Sequence, residues 1–189
     1  MVERLAFVEP ISMEQFARFA EEQGWPAGDE PEDPDGDIDE DRLTSIWRTP
    51  SGDVRFVDDT IVRVQYVDNA RGDVANRIRG RFACYNRDQA VAALDLDADE
   101  ETVRRAFRLV SVTAAGVADE ETFDVTVRGL RHVRADVRRS ALEVAHYAPT
   151  TRFLPEVIRL AEQDPDRNVR QWAGSVRMLL EVIAQIENG

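Results

Sequence analysis

Val137-Arg138-Arg139-Ser140-Ala141 recurs 32 residues on as Val169-Arg170-Gln171-Trp172-Ala173. A looser copy, Val103-Arg104-Arg105-Ala106, stands 34 residues before the first. Spacing of this size marks stacked helical repeats, in which each unit buries its apolar face only against a neighbour. The surrounding sequence agrees. Val103, Ala106, Phe107 and Val110 make one helical stripe; Phe123, Val127 and Leu130 follow Asp119, a helix cap. Val137, Ala141, Val144 and Ala145 form the next stripe, ended by Pro149. Val157, Leu160 and Ala161 follow Pro155, which a helix tolerates in its first turn. A long last helix carries Val169, Trp172, Ala173, Val176, Leu179, Leu180 and Ile183, with Trp172 expected in the core.

Upstream, the period changes. Leu5 and Phe7 alternate with Ala6 and Val8, as in a short strand. Ser12 and Gln15 form a capping box, and Ile11 and Phe16 a hydrophobic staple, so a helix starts at residue 12; Gly24-Trp25-Pro26 ends it. Three strand signals follow: Thr44 to Thr49; Asp53 to Val57 after the turn Pro50-Ser51-Gly52; and Thr60 to Val67 after Asp58-Asp59. An antiparallel meander backed by the 12–24 helix is the simplest arrangement. Asp73 to Tyr85 reads as a helix with Val74, Ile78 and Phe82 on one face and Cys84 nearby. Gln89 to Leu94 reads as a shorter helix, and the two together as an atypical cap on the repeats. The expected fold is α+β: a small antiparallel-sheet-plus-helix domain over 1–94, then a short α-solenoid of helix pairs over 95–189.

Net charge is −13, but it is concentrated. Asp29, Glu30, Glu32, Asp33, Asp35, Asp37, Asp39, Glu40 and Asp41 are nine acids with no base among them. Without them, 28 acids face 24 bases, a net of −4. Self-repulsion and the lack of apolar residues predict a solvated, mobile loop at 29–41. All 24 bases are arginine, from GC-rich coding or from selection against lysine modification. An acidic, mixed-sign chain argues against duplex DNA as the partner. No apolar run approaches the ~20 residues of a membrane span. With Cys84 alone, no internal disulfide forms, and the cytoplasm is the expected compartment.

Residues 95–189 resemble HEAT repeats of the short bacterial, phycobilin-lyase-like type. The elements that carry the resemblance are Asp99 with Val103-Arg104 and Ala106, Asp136 with Val137-Arg138 and Ala141, and Asp166 with Val169-Arg170 and Ala173. Each loop Asp is expected to cap the following helix. Arg104, Arg138 and Arg170, with Asp136 and Asp166, are expected to form a structural ladder between loops. The resemblance implies a right-handed stack with second helices lining a groove. On that basis the groove is drawn from 119–133 and 152–163, with Asp124, Arg128, Arg131, Glu156, Arg159 and Glu162 as its polar positions.

Catalytic chemistry is not evident. His132 and His146 fall at helix C-terminal ends, where a cation is favoured. No His/Cys cluster has zinc spacing. An EF-hand register through Gly36 puts Pro31 first and Arg42 twelfth, both unsuitable, so no metal or other cofactor is assigned. The expectation is a non-enzymatic adaptor that holds a basic protein partner with the groove and with Asp33, Asp35, Asp37 and Asp39. One form would be an immunity or inhibitor protein against a basic toxin. The alternative is an accessory enzyme of the HEAT-like lyase or nucleic-acid-modifying kind, with a perturbed carboxylate among Asp124, Glu156 and Glu162.

Overall fold

Ser12 sets the first helix in place. Its side chain accepts from the Gln15 N–H while the Gln15 side chain accepts from the Ser12 N–H, so both halves of the capping box form ahead of α1 (Met13–Glu22). The structure is a computed structural model and describes residues 2–28, 42–116 and 119–187; the acidic stretch at 29–41 lies outside them. The chain is α+β and divides into two compact units, Met1–Arg87 and Asp88–Gly189, a few residues before the boundary at 94 drawn from sequence.

In the first unit, β1 (Val2–Phe7), β2 (Arg42–Thr49), β3 (Gly52–Asp59), β4 (Val64–Arg71) and β5 (Cys84–Tyr85) form one antiparallel sheet ordered β2-β3-β4-β1-β5. The predicted meander is present, but its third strand starts later than Thr60. Asp59 extends β3, and its carboxylate accepts from the N–H groups of Ile61 and Val62 at 3.1 Å each, which makes residues 60–63 a turn. One face of the sheet packs on α1 and α2 (Gly72–Arg81). Phe7, Phe16, Phe19, Trp25, Trp47 and Phe56 are buried there together, with rings 5.0–6.3 Å apart in edge-on and tilted contacts.

The helix expected over 73–85 is two elements. Phe82 turns to an extended backbone (φ −124°, ψ 140°), and Cys84-Tyr85 pair with Phe7 and Ala6 as β5. Three apolar residues at spacing four imitated a continuing helix, whereas Phe82 packs among Phe7, Phe16 and Phe19. Helix α2 therefore packs on the sheet, against β1 and β4, and falls within the first compact unit. Cys84 sits in a strand, and burial pushes its thiol up to about 11.

The second unit is helical: α3 (Arg87–Ala92), α4 (Glu100–Ala114), α5 (Glu120–Leu130), α6 (Ala135–Tyr147), α7 (Leu154–Gln163) and α8 (Arg167–Glu187), with a 3-10 turn at Thr151–Phe153. Asp99 and Asp119 cap α4 and α5 as expected. Val103, Val137 and Val169, the valines of the three copies, are all buried. The main contacts run α4–α6, α5–α6, α7–α8 and α6–α8, with α5 also touching α7. Gly129 lets α5 approach so closely: a Cβ there would lie 2.6 Å from Phe107 Cζ and 2.8 Å from Ala141 Cβ. Trp172 is only half-buried, its ring 5.4 Å from that of exposed His146. It lies on the rim of the α8 stripe, while the smaller Ala173 and Val176 face the core.

Candidate functional site

The repeated Val-Arg pairs place three arginines at the starts of three helices, but they do not act alike. Arg138 on α6 is 7% exposed and meets the 1% exposed Asp164, between α7 and α8, through two bonds of 2.6 and 2.8 Å. Its remaining nitrogen donates to the carbonyls of His132 and Val133 at 2.9 and 2.7 Å. A buried guanidinium with its fork and third nitrogen satisfied fixes two loops at once. Burial pulls the Asp164 carboxyl up, yet the Arg138 bonds, the Asp166 N–H and the charges of Arg138 and Arg159 hold it below its ordinary value. Arg170 instead donates to the carbonyls of Asp164 and Pro165. Arg104 turns to Glu101 and Glu100 of its own helix.

The predicted ladder is thus a single buried bidentate rung, and its acid is Asp164 rather than Asp136 or Asp166. Asp166 caps α8 by accepting from the N–H groups of Asn168 and Val169. Asp136 falls inside the first turn of α6, and Arg134 occupies the cap position without capping the helix's backbone N–H groups. Arg134 bonds the Asp136 carboxylate and reaches back to the Ala98 carbonyl, so it ties the start of α6 to the segment ahead of α4. That pair holds the Asp136 carboxyl below its ordinary value.

The residues assigned to the groove lie on α5, α7 and the turn after α5. Asp124 and Arg128 are exposed on α5. Glu156 is clamped by Arg131 and by Arg159, which also donates to the Leu130 carbonyl at 3.0 Å. The Arg131 bond, ahead of the others, keeps the Glu156 carboxyl below its ordinary value. Glu162 pairs with Arg177 of α8 at 3.2 Å. Nearby, Arg152 grips Glu120 at 2.9 and 3.0 Å and lies 3.7 Å over the Phe123 ring. The structure brings Arg131, Glu156 and Arg159 together and leaves Asp124, Arg128 and Glu162 outside that cluster. Asp33, Asp35, Asp37 and Asp39 lie outside the described residues.

Helices α4, α6 and α8 form one layer through the α4–α6 and α6–α8 contacts, with α5 packed on α6 and α7 on α8. On this layer a depression of about 180 Å³ opens at the helix starts, lined by Glu100, Asp136, Arg139, Asp166, Asn168 and Val169. One to two turns further along, Glu143 of α6 faces Arg108 of α4, the closest atoms being 3.9 Å apart. Burial pushes the Glu143 carboxyl up to about 7 against the pull of Arg108, Arg139 and Arg104.

Sequence reasoning missed Glu143, Arg108, Arg139 and Asp164. A partial signal existed: Glu100, Arg104 and Arg108 fall every four residues on one helix, as do Arg139 and Glu143 on another. Which helix faces which was not in that spacing. Among the described residues no group of three acids, histidines or cysteines is placed to hold a metal ion, and no helix is long and apolar enough to cross a membrane. Compared with family models, curated proteins and solved structures, the chain matches none of them.

Proposed function

We propose that the chain is a non-enzymatic protein-binding adaptor whose helical unit is a short HEAT-like stack and whose acidic stretch engages a partner with a basic surface. The observation that carries this reading is charge placement: nine of the 37 acids occupy residues 29–41 without a base. Such a run attracts a basic partner over distance and speeds encounter, and salt weakens it. Support for the stack comes from the two-layer contacts, with α4, α6 and α8 in one layer and α5 touching α7 in the other. A repeat stack offers an extended binding surface. An inhibitor that covers the nucleic-acid site of a basic toxin in the cytoplasm is the specific form this chemistry fits.

The test is affinity capture from native extract at low and high salt. The full chain is compared with a variant in which all nine acids of 29–41 become Asn or Gln. Basic proteins are expected on the original chain at low salt and are lost with the variant. Identical recovery on both would overturn the reading.

A further inference from the structure

We infer that α8 pairs with the α8 of a second copy of this chain through an apolar seam that its own unit leaves open. Trp172, Ser175, Leu179, Val182 and Ile186 follow one another at spacings of three, four, three and four. That is the period at which one helix packs its side chains into the holes of another. At 3.6 residues per turn the five fall within an arc of about 80°. Val169, Ala173, Val176 and Leu180 keep the same period about 110° further round the helix, and these four are buried in the unit. The helix thus carries two seams, and the unit uses one.

The second seam is open to water. Val182 is 52% exposed, Ile186 74%, and Met178 beside them 63%. The other large exposed apolar side chains among the described residues, Val2, Leu43, Ile61 and Val133, are scattered over separate elements. Single apolar residues at a surface are ordinary, whereas a contiguous patch marks an interaction site. Trp172 and Leu179 are half-buried and continue the patch toward the start of the helix. Residues 29–41, outside the described ones, offer nine acids and a single large apolar side chain, Ile38, so they do not match it.

Charge points to a second copy as the occupant. No ionisable residue falls on the seam. Of the charged residues of α8, Arg177 pairs with Glu162 and Glu181, Arg170 donates to the carbonyls of Asp164 and Pro165, and Glu187 accepts from Thr151. Arg167 stands in the first turn, ahead of the seam. A charged partner finds no complement here, while two copies meet without setting acid against acid. A twofold axis lets one patch serve both sides of such a contact. It also extends the α4–α6–α8 layer, in which α8 stands at the edge, by one more helix-on-helix contact. Because α8 is already folded, its seam of two heptads needs no ordering before it pairs.

The experiment is sedimentation equilibrium of the full chain. Protein runs from about 1 μM to about 1 mM, the range that populates an interface below the ~1,200 Å² of stable complexes. The mass should rise from one chain to two. The rise should be steeper at about 0.5 M salt, which screens the net −13 of each copy. Val182→Glu combined with Ile186→Glu should hold the mass at one chain while the helical circular-dichroism signal stays unchanged. Ser175→Leu fills the polar position of the seam in both copies and should tighten pairing at least ~10-fold. A single-chain mass throughout, with or without a helix of another protein captured on this face, would overturn the inference, as would a dimer that survives the paired glutamates. If the glutamate variant loses helical signal, Ser175→Leu decides, and pairing no tighter than the original overturns it. Neutralising the nine acids of 29–41 leaves the pairing in place, and high salt favours it while opposing capture of a basic partner. Its failure and that of the proposed adaptor function are therefore separate results.

Discussion

The two units solve the same problem, holding helices and strands together, with different chemistry. The sheet unit locks a cluster of six buried aromatic side chains between one sheet face and two helices. Its strands come from distant parts of the chain; Val2 pairs with Arg71. The helical unit has a core dominated by Val, Ala and Leu, with Phe107 and Phe153 as its fully buried aromatics. It also carries Arg138 and Asp164 inside, each almost inaccessible to water. The first unit is thus stabilised mainly by apolar area, with the partly exposed pairs Arg4–Asp68 and Arg79–Glu3 beside it. Single charge changes act hardest on the second, because its pair is buried and costly to break from one side.

The sharpest way to break this comparison is Asp164→Ala. Removing one member of the buried pair leaves Arg138 uncompensated and should cost about 3–5 kcal/mol, all of it in the helical unit. Replacing both members with apolar side chains of similar volume, as in Arg138→Met with Asp164→Leu, should recover most of that loss. Phe16→Ala, at a fully buried position of the sheet unit, should cost about 3–5 kcal/mol with no such rescue. Hydrogen exchange read separately over α6–α8 and over β1, β3 and β4 checks both. Protection lost equally in the two units after either change would mean that they do not differ as argued.

A smaller effect tests how tightly the helices are packed. Gly129→Ala would press a methyl group onto Phe107 and Ala141. Both are fully buried, so the backbone of α5 must shift, at a cost of about 1–3 kcal/mol. A midpoint unchanged in urea would show that α5 moves freely, and the local packing of this unit would be looser than described.

Two carboxylates of the helical unit titrate with opposite signs. Glu143 has a raised value, so its stabilising contribution is whole below the unfolded value near 4.5 and is lost as pH rises through about 7. Asp164 has a lowered value; its contribution is present above its unfolded value near 3.8 and is lost on further acidification. The helical unit should therefore be more stable at pH 5 than at pH 8, by on the order of 1–2 kcal/mol, and weaken again in strong acid. Glu143→Gln removes the slope between pH 5 and 8 and leaves the acid limb. Thermal melts across pH, read from α-helical signal, decide the matter: a slope that survives the substitution belongs to another group.

How far the sequence carried differs between the units for physical reasons. Ser12, Gln15 and the residues around them decide α1 locally, and α1 is where they place it. Strands of the meander were legible from alternation, yet the start of β4 depended on Asp59 folding back on its own chain, which alternation does not encode. Phe82 looked helical because it follows Val74 and Ile78 at spacing four, and only its aromatic neighbours, distant in sequence, show why the chain leaves the helix there. In the helical unit the valines of the repeat were readable as core positions. The partners of the arginines were not, because Asp164 lies 26 residues from Arg138, at the far end of the next helix, α7. Glu143 stayed hidden for the same reason: its environment is made by α4, and intrahelical spacing says nothing about which neighbour that is.

The smallest prediction concerns the aspartates that carried the repeat resemblance. Asp166 accepts from two N–H groups at the start of α8, at 2.8 and 3.1 Å, so Asp166→Ala should cost about 1 kcal/mol, the usual worth of an N-cap. Asp99 holds α4 in the same way, and Asp99→Ala should behave alike. Asp136 looks equivalent in sequence but lies inside the first turn rather than at the cap position, and its main partner is a partly exposed Arg134. Asp136→Ala should cost well under 1 kcal/mol, the range of surface ion pairs, and high salt should erase it. Salt should leave most of the cost of the other two in place, because their bonds run to backbone N–H groups. Chemical denaturation of the three variants at low and high salt measures this difference. Three equal, salt-independent losses would mean that Asp136 serves as a cap after all, and that the repeat is more regular than its arginine contacts.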